Sequence, residues 1–229
     1  DFCDAHGIPL LKSRHVNDAA VGEAIQNHGI DWLFIIGWSQ IANEGVLAAP
    51  TRGVLGIHPT LLPQGRGRAA VPWAILKRLE RTGVTLFKLD AGVDTGPIIA
   101  QREIPLNARI TATELYKHVN VAHAALMREA IPKLAMGDLK PREQDHSAAT
   151  EWSGRTPEDG EIDLDGSVLD AECLVRAVTR PYPGAFFLRD GQQVVVWRAH
   201  VETDPTIVPG TPVLTFADGT LVLDEAEVR

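Results

Sequence analysis

The sequence of 229 residues has very little cysteine and no long apolar run. Its two cysteines, Cys3 and Cys173, are too few and too far apart for a zinc site or a disulfide framework, which favours a reducing, cytoplasmic setting. No stretch approaches the roughly 18 consecutive apolar residues that a membrane-spanning helix needs. With 45% hydrophobic and 23% charged residues, the composition is that of an ordinary globular protein rather than a disordered or fibrous one.

Lysine is absent from the C-terminal part of the chain. Residues 156–229 hold five arginines, no lysine and fourteen acidic residues, a net charge of −9, whereas the whole chain carries −8. An acidic surface repels phosphate backbones. This part is therefore predicted not to grip an RNA.

Residues 1–136 have the pattern of an α/β domain, in which short apolar runs alternate with longer amphipathic stretches. We predict a Rossmann-like parallel sheet with strands at 8–11, 32–36, 54–57 and 84–89, the second of them fully buried, and helices at 18–28, 71–80 and 112–134. Such a domain begins with a strand and a helix that precede these elements. Because the sequence opens at Asp1 with neither a methionine nor a signal peptide, we expect that this first part lies upstream.

The rest of the chain is predicted to hold a linker and a second domain. Residues 137–159 are polar and rich in glycine and proline, without a periodicity that would bury a face, and are predicted to be a linker. Residues 160–229 are predicted to form a small β-rich, OB-like domain, with a helix at 171–179 and strands at 185–188, 194–199, 212–216 and 221–223.

The first candidate catalytic segment covers residues 56–68, Gly-Ile-His-Pro-Thr-Leu-Leu-Pro-Gln-Gly-Arg-Gly-Arg, directly after a predicted strand. Ligands in open α/β sheets bind at the carboxyl ends of strands, so His58 stands where a catalytic side chain is expected. Position alone fits a histidine that merely closes a strand equally well. The surrounding prolines and glycines force an extended loop, which favours a functional site.

The second segment covers residues 89–97, Leu-Asp-Ala-Gly-Val-Asp-Thr-Gly-Pro, again after an apolar strand. Two carboxylates with glycines between them predict a turn that aims one acid at a neighbour. A plain β-hairpin is the structural alternative. An EF-hand calcium loop requires more oxygen ligands at fixed spacing, so no metal is predicted.

Together these segments resemble the 10-formyltetrahydrofolate-dependent formyltransferase family, which includes methionyl-tRNA formyltransferase, glycinamide ribonucleotide formyltransferase and the sugar N-formyltransferases. The similar segments are Gly-Trp-Ser-Gln-Ile at 37–41, His-Pro-Thr-Leu-Leu-Pro-x-x-Arg-Gly at 58–67, Thr-Gly-Val-Thr at 82–85, Asp-x-Gly-x-Asp-Thr-Gly at 90–96, and the stretches 155–160 and 176–186. The resemblance covers nearly the whole chain.

The family has a catalytic asparagine, histidine and aspartate, and the resemblance places the last two at His58 and Asp94. The asparagine is missing, because Gly56 stands where it is expected. In the family its amide is thought to help hold an oxyanion, and losing one such donor costs about 10²–10³ in rate. Thr60, or a backbone amide or bound water in a tight loop at Gly56, is the favoured replacement; a different reaction and a loss of activity are the alternatives.

The resemblance also implies binding residues. Those expected to line the folate slot are Ser39, Gln40, Ile41, Leu89, Asp90 and Gly92. Arg66 and Arg68 are candidates for a substrate phosphate or the folate tail, although solvated loop arginines are as common. Trp38 and Trp73 are candidates for stacking on the pterin or the substrate, although buried tryptophans more often belong to a core.

We therefore expect an enzyme that moves the formyl group of its co-substrate, 10-formyltetrahydrofolate, onto a primary amine without a metal. His58 is expected to accept the amine proton and Asp94 to orient the imidazole. The acidic C-terminal part disfavours transfer RNA and favours a small amine, either a nucleotide-linked amino sugar or an amine of a secondary-metabolite or siderophore pathway. The resemblance of the C-terminal part to the amino-sugar enzymes puts the nucleotide-linked amino sugar first. The alternatives are a methionyl-tRNA formyltransferase, a formyltetrahydrofolate hydrolase and a folate-binding pseudoenzyme. Cytoplasmic location without membrane association is expected, and a homodimer is one assembly open to the chain.

Overall fold

The structure, a computed structural model, describes residues 2–38, 40–203 and 210–229. In the first part of the chain the helices are α1 (Phe2–Ala5), α2 (Ala19–Asn27), α3 (Glu44–Ala48), α4 (Ala70–Leu76) and α5 (Ala112–Met136), and the strands are β1 (Trp32–Ile35), β2 (Gly53–His58), β3 (Arg66–Gly67), β4 (Arg81–Lys88) and β5 (Ile98–Pro105). They are followed by β6 (Glu151–Trp152), α6 (Val168–Val178), β7 (Ala185–Arg189), β8 (Gln192–Val201), β9 (Val213–Phe216) and β10 (Gly219–Val228).

The main sheet has the strand order β1-β2-β4-β5. The α/β class is confirmed, and β1 and β2 are parallel as predicted. The other two pairs, β2 with β4 and β4 with β5, are antiparallel, so the sheet is mixed. Helix α5 packs on β4 and β5. Its first turn is closed by a capping box between Thr111 and Glu114, and it ends at Met136, followed by Gly137 with a positive φ of 70°.

Three predictions about the elements are wrong, and one long strand was missed. Residues 8–11 form no strand, and three of their apolar side chains are about half exposed because no neighbouring strand pairs with them. Strand β1 is half buried rather than fully buried, since it lies at the edge of the sheet. The helix predicted at 71–80 ends at Leu76, and Arg78 turns the chain with a left-handed φ of 49° toward β4. Strand β5 was not predicted, because polar residues fill its exposed middle.

The C-terminal part forms a four-stranded antiparallel sheet of order β7-β8-β10-β9, on which α6 packs. The predicted small β-rich unit is thereby confirmed. Helix α6 also contacts α4. Val71 and Ile75 of α4 belong to the same buried cluster as Val175 of α6 and Phe187 of β7, so one apolar core extends through both parts of the chain. The domain boundaries predicted at 136 and 159 stay a prediction.

Within the described ranges, no helix combines the length and the hydrophobicity that crossing a membrane requires.

Candidate active site

His58 lies at the end of β2 with only 8% of its surface exposed. Its Nε2 is 2.7 Å from the carbonyl oxygen of Gly65. A carbonyl only accepts hydrogen bonds, so this nitrogen carries a hydrogen and donates it. In the neutral imidazole the basic nitrogen is then Nδ1, which lies 3.6 Å from Oδ2 of Asp94. The ring is thus held on one side and faces a carboxylate on the other.

Asp94 lies in the loop that joins β4 to β5. The loop connects two antiparallel strands, as the plain-hairpin alternative predicts. It also aims one carboxylate at a neighbouring residue, as the functional interpretation predicts. Oδ1 of Asp90 accepts hydrogen bonds from the Gly92 amide (3.0 Å) and the Thr95 hydroxyl (2.6 Å), which closes the loop. Oδ2 of Asp94 accepts one from the Gly67 amide at 2.9 Å. The two segments singled out in the sequence therefore meet.

Gly56, at the position of the missing asparagine, is a buried residue of β2 rather than part of a tight loop. It stands between Ile35 of β1 and Phe87 of β4. A Cβ added here would lie 2.8 Å from Cδ2 of Leu89 and 3.3 Å from Cε1 of Phe87. The expected loop was wrong because the strand continues to His58, and the Leu89 side chain fills the space beside the glycine.

Thr60 follows His58 in the loop and is 1% exposed. Its backbone carbonyl accepts a hydrogen bond from the Thr85 hydroxyl at 2.7 Å. Its own hydroxyl is buried and has no hydrogen-bond partner among the described residues. Thr60 therefore has unused donor capacity.

The three residues predicted to bind substrate have different environments. Arg66 is buried, and its guanidinium donates to Oε1 of Gln144 at 2.7 Å. Arg68 is exposed. The indole of Trp73 donates to the Ser153 carbonyl at 2.8 Å and has Cζ of Arg155 5.1 Å from its ring centre. Arg66 and Trp73 thus have partners within the chain, and substrate contacts of all three stay a prediction.

The segment similar to the family's folate loop leaves the sheet beside His58. Ile35, the last residue of β1, is paired in parallel with Gly56, two residues before His58. Oε1 of Gln40 accepts from the Val16 amide at 2.8 Å and ties this segment to the chain before α2. Trp38 and Ile41 are exposed, whereas Ser39 lies outside the described residues. The folate contacts predicted for this segment and for Leu89, Asp90 and Gly92 stay a prediction.

Sequence reasoning missed a contribution from residues 137–159, which were predicted to be only a linker. Strand β6 pairs in parallel with β3 in the loop that follows His58. Gln144 is 5% exposed and contacts both the loop after His58 and the loop that carries Asp94. A buried amide at position 144 gives no periodic signal in a polar sequence, so pattern analysis could not identify it.

In the part of the chain that the structure describes, no group of three or more histidine, cysteine, aspartate or glutamate side chains could hold a metal ion.

Comparison with known proteins agrees with the motifs. A family model described as formyl transferase matches residues 3–131, and one described as formyl transferase, C-terminal domain, matches residues 155–225. The chain is 35% identical over 211 residues to the methionyl-tRNA formyltransferase of Sorangium cellulosum (strain So ce56), an alignment that covers 91% of this chain and 68% of that protein.

Solved structures share the fold. HypX from Aquifex aeolicus, in complex with tetrahydrofolic acid, aligns with a TM-score of 0.75 at 22% identity, over 91% of this chain and 37% of HypX. The N-formyltransferase from Helicobacter canadensis, in complex with folinic acid and dTDP-3-aminofucose, aligns with a TM-score of 0.74 at 17% identity, over 99% of this chain and 81% of that one. With 37% of HypX covered, this chain spans well under half the length of that protein. With two family models and a relative in agreement, the chain belongs to the formyl transferase family.

Proposed function

We propose that the chain transfers the formyl group of 10-formyltetrahydrofolate to the primary amine of a small substrate, first a nucleotide-linked amino sugar, in the cytoplasm. The observation that carries the proposal is the pair formed by His58 and Asp94, 3.6 Å apart at the end of β2. The co-substrate supplies the formyl carbon, and the amine nitrogen attacks that carbon.

We assign His58 the role of general base in this attack. Since Nε2 donates to Gly65, Nδ1 is the nitrogen that accepts the amine proton. The imidazolium that results faces the Asp94 carboxylate, which stabilises the positive charge. His58 can then return the proton to the leaving folate nitrogen, which completes the transfer.

The surfaces next to His58 are suited to a folate. The segment that begins at Gly37 leaves β1 beside the end of β2, and it exposes the apolar side chains of Trp38 and Ile41. Aromatic and aliphatic surface of this kind suits a flat pterin ring. HypX from Aquifex aeolicus, which shares this fold, has been solved with tetrahydrofolic acid, and the N-formyltransferase from Helicobacter canadensis has been solved with folinic acid. Both complexes support the same class of co-substrate here.

The oxyanion that forms during attack requires a donor, and Gly56 has no side chain to provide one. We assign this role to the Thr60 hydroxyl, which has no other partner among the described residues, acting directly or through a bound water. Thr60→Val removes the hydroxyl at nearly constant volume. A loss in kcat of about 10²-fold is expected in that variant, and an unchanged kcat would contradict the assignment.

The charges of the C-terminal part favour a small amine over transfer RNA. Arg176, Arg180, Arg198 and Arg229 each have a carboxylate oxygen within 3.9 Å. Paired arginines add little positive potential, and the net charge of this part is strongly negative. The dTDP-3-aminofucose bound by the Helicobacter canadensis protein supports an amino sugar as the acceptor class.

Methionyl-tRNA formylation is the second candidate, because the Sorangium cellulosum relative carries that name at 35% identity. The two candidates differ in their dependence on salt. Transfer RNA binding weakens steeply with added salt through counterion release, whereas binding of a small amino sugar changes little.

The test measures tetrahydrofolate release from 10-formyltetrahydrofolate with nucleotide-linked amino sugars, with methionyl-tRNA and with no amine. Release that depends on an amino sugar and is lost in His58→Ala supports the proposal. His200→Ala is the matched control, because His200 forms a similar pair with Asp224 (2.9 Å) on the C-terminal sheet, and it should retain activity.

The other outcomes assign other functions. Release that requires methionyl-tRNA makes the second candidate correct. Release without any amine indicates a hydrolase, and folate binding without release under any condition indicates a pseudoenzyme.

A further inference from the structure

Gln144, between α5 and β6, joins the two loops that carry the catalytic pair. Its Nε2 donates to the backbone carbonyls of Asp94 at 2.8 Å and Gly96 at 2.7 Å. Its Oε1 accepts from Nη2 of Arg66 at 2.7 Å, in the loop after His58. Both ends of the amide are thus engaged, and the side chain bridges the loops inside the protein.

The residues that follow Gln144 also hold the backbone of the loop after His58, residues 59–67, which we call the histidine loop. The Gly65 amide donates to the Thr150 hydroxyl at 2.9 Å, and the Arg66 amide donates to the Thr150 carbonyl at 2.9 Å. Nη2 of Arg66 also contacts Nδ1 of His146 at 3.0 Å. The Gly65 carbonyl, which fixes Nε2 of His58, is therefore placed by this segment.

The loop that carries Asp94, residues 89–97 between β4 and β5 and called here the aspartate loop, needs such support because its backbone is strained. Asp94 has a φ of 54°, in the left-handed region that residues other than glycine rarely adopt. Such a conformation persists when surrounding bonds over-determine it. Gln144 bonds the Asp94 carbonyl itself, so it acts directly on the backbone that aims the carboxylate.

We propose that Gln144 is a positioning residue, which sets the distance between the Asp94 carboxylate and His58 by holding the aspartate loop against the histidine loop. This inference rests on the proposed formyl transfer for its kinetic test. It extends the active site to residues beyond the end of α5.

Two variants separate the halves of the amide. Gln144→Met keeps the length of the side chain and removes every hydrogen bond. Gln144→Glu keeps an acceptor for Arg66 and replaces the donor that faces Asp94 and Gly96 with an oxygen. If the donor half positions Asp94, both variants lose about 10- to 100-fold in kcat, with the KM for 10-formyltetrahydrofolate within about threefold of wild type.

A double-mutant cycle tests whether Gln144 acts through Asp94. In an Asp94→Ala background, Gln144→Met should lower kcat by less than about twofold more, because the carboxylate to be positioned is gone. Thr179→Val is the matched control, since Thr179 is 7% exposed and donates to the Trp197 carbonyl in the C-terminal part. It should lower the melting temperature and leave kcat unchanged.

Hydrogen exchange gives a readout that does not depend on activity. The Gly67 amide donates to the Asp94 carboxylate, so it should exchange faster in both Gln144 variants and at the wild-type rate in Thr179→Val. If the wild-type protein shows no turnover, the proposed function fails and this exchange still decides on Gln144. Slow Gly67 exchange in Gln144→Glu, a kcat within threefold of wild type, or full additivity with Asp94→Ala would each overturn the inference.

Discussion

Placing an asparagine at position 56 restores the residue that the resemblance to the family leads one to expect. The structure gives a physical reason why this change alone should destabilise the protein. A Cβ on Gly56 would lie 2.8 Å from Cδ2 of Leu89 and 3.3 Å from Cε1 of Phe87, which is itself 2% exposed. Leu89 can move because its side chain is flexible, but Phe87 is fixed in the sheet. The asparagine therefore enters space that is already filled.

The cost has two parts. Overpacking a core position destabilises by about 1–3 kcal/mol. An amide buried without a partner adds about 1–3 kcal/mol. For a domain of this size about 1 kcal/mol shifts the melting temperature by about 2–4 °C, so Gly56→Asn should melt at least about 4 °C below wild type.

Leu89→Ala supplies the space that the asparagine lacks. The double variant Gly56→Asn with Leu89→Ala should melt above the single Gly56→Asn variant, with a favourable coupling free energy of about 1 kcal/mol or more in a double-mutant cycle. Calorimetric or fluorescence melts of the wild type, both single variants and the double variant provide the four values. Tetrahydrofolate release by the same four proteins reports the effect on catalysis.

Two results would refute this reasoning. A Gly56→Asn variant as stable as wild type would show that Leu89 does not occupy the space. A greatly raised turnover in that variant would show that no other group has replaced the missing amide, because a working donor elsewhere leaves little rate to recover.

Three further predictions concern other parts of the chain. Gly67→Ala should destabilise the protein by on the order of 2 kcal/mol in urea unfolding, because Gly67 has a φ of 102° and an added Cβ would lie 2.4 Å from the Trp152 carbonyl oxygen; an unchanged midpoint would contradict this. Burial lowers the pKa of His123, so the unfolded chain binds more protons and stability should fall as the pH drops through about 6.5. His123→Gln should reduce that slope, and parallel stability curves for the two proteins would count against it. Burial raises the pKa of the Cys173 thiol, so a thiol reagent should label the partly exposed Cys3 in the native protein and reach Cys173 only in denaturant; equal labelling rates would show that Cys173 is accessible.

The meeting of His58 and Asp94 could be predicted because each residue follows an apolar strand and stands in a loop rich in glycine and proline. The environment of Gly56 could not be predicted from the sequence. It depends on where the Leu89 side chain packs, and Leu89 was expected in the folate slot on family resemblance alone. Packing of this kind is decided by the register of β2 against β4, which local sequence does not encode.

Gln144 shows a second limit of sequence reasoning. Polar stretches rich in glycine and proline are usually exposed connections, and residues 137–159 have that composition. The same polar side chains can instead satisfy backbone groups of neighbouring loops, as Gln144 does for Asp94 and Gly96. Composition predicts the lack of a periodic buried face correctly and says nothing about such bonds.

The core that extends from α4 to α6 limits how the C-terminal part of this chain can be exchanged with that of a relative. The Cys173 thiol on α6 donates to the Ile75 carbonyl at the end of α4, and apolar side chains of both helices share one cluster. A chimera that exchanges everything after residue 159 would therefore place a foreign helix on α4 and create cavities or clashes there. Grafts that carry the matching face of α4 together with the new C-terminal part avoid this mismatch, so the helix pair rather than the sequence boundary is the natural unit of exchange.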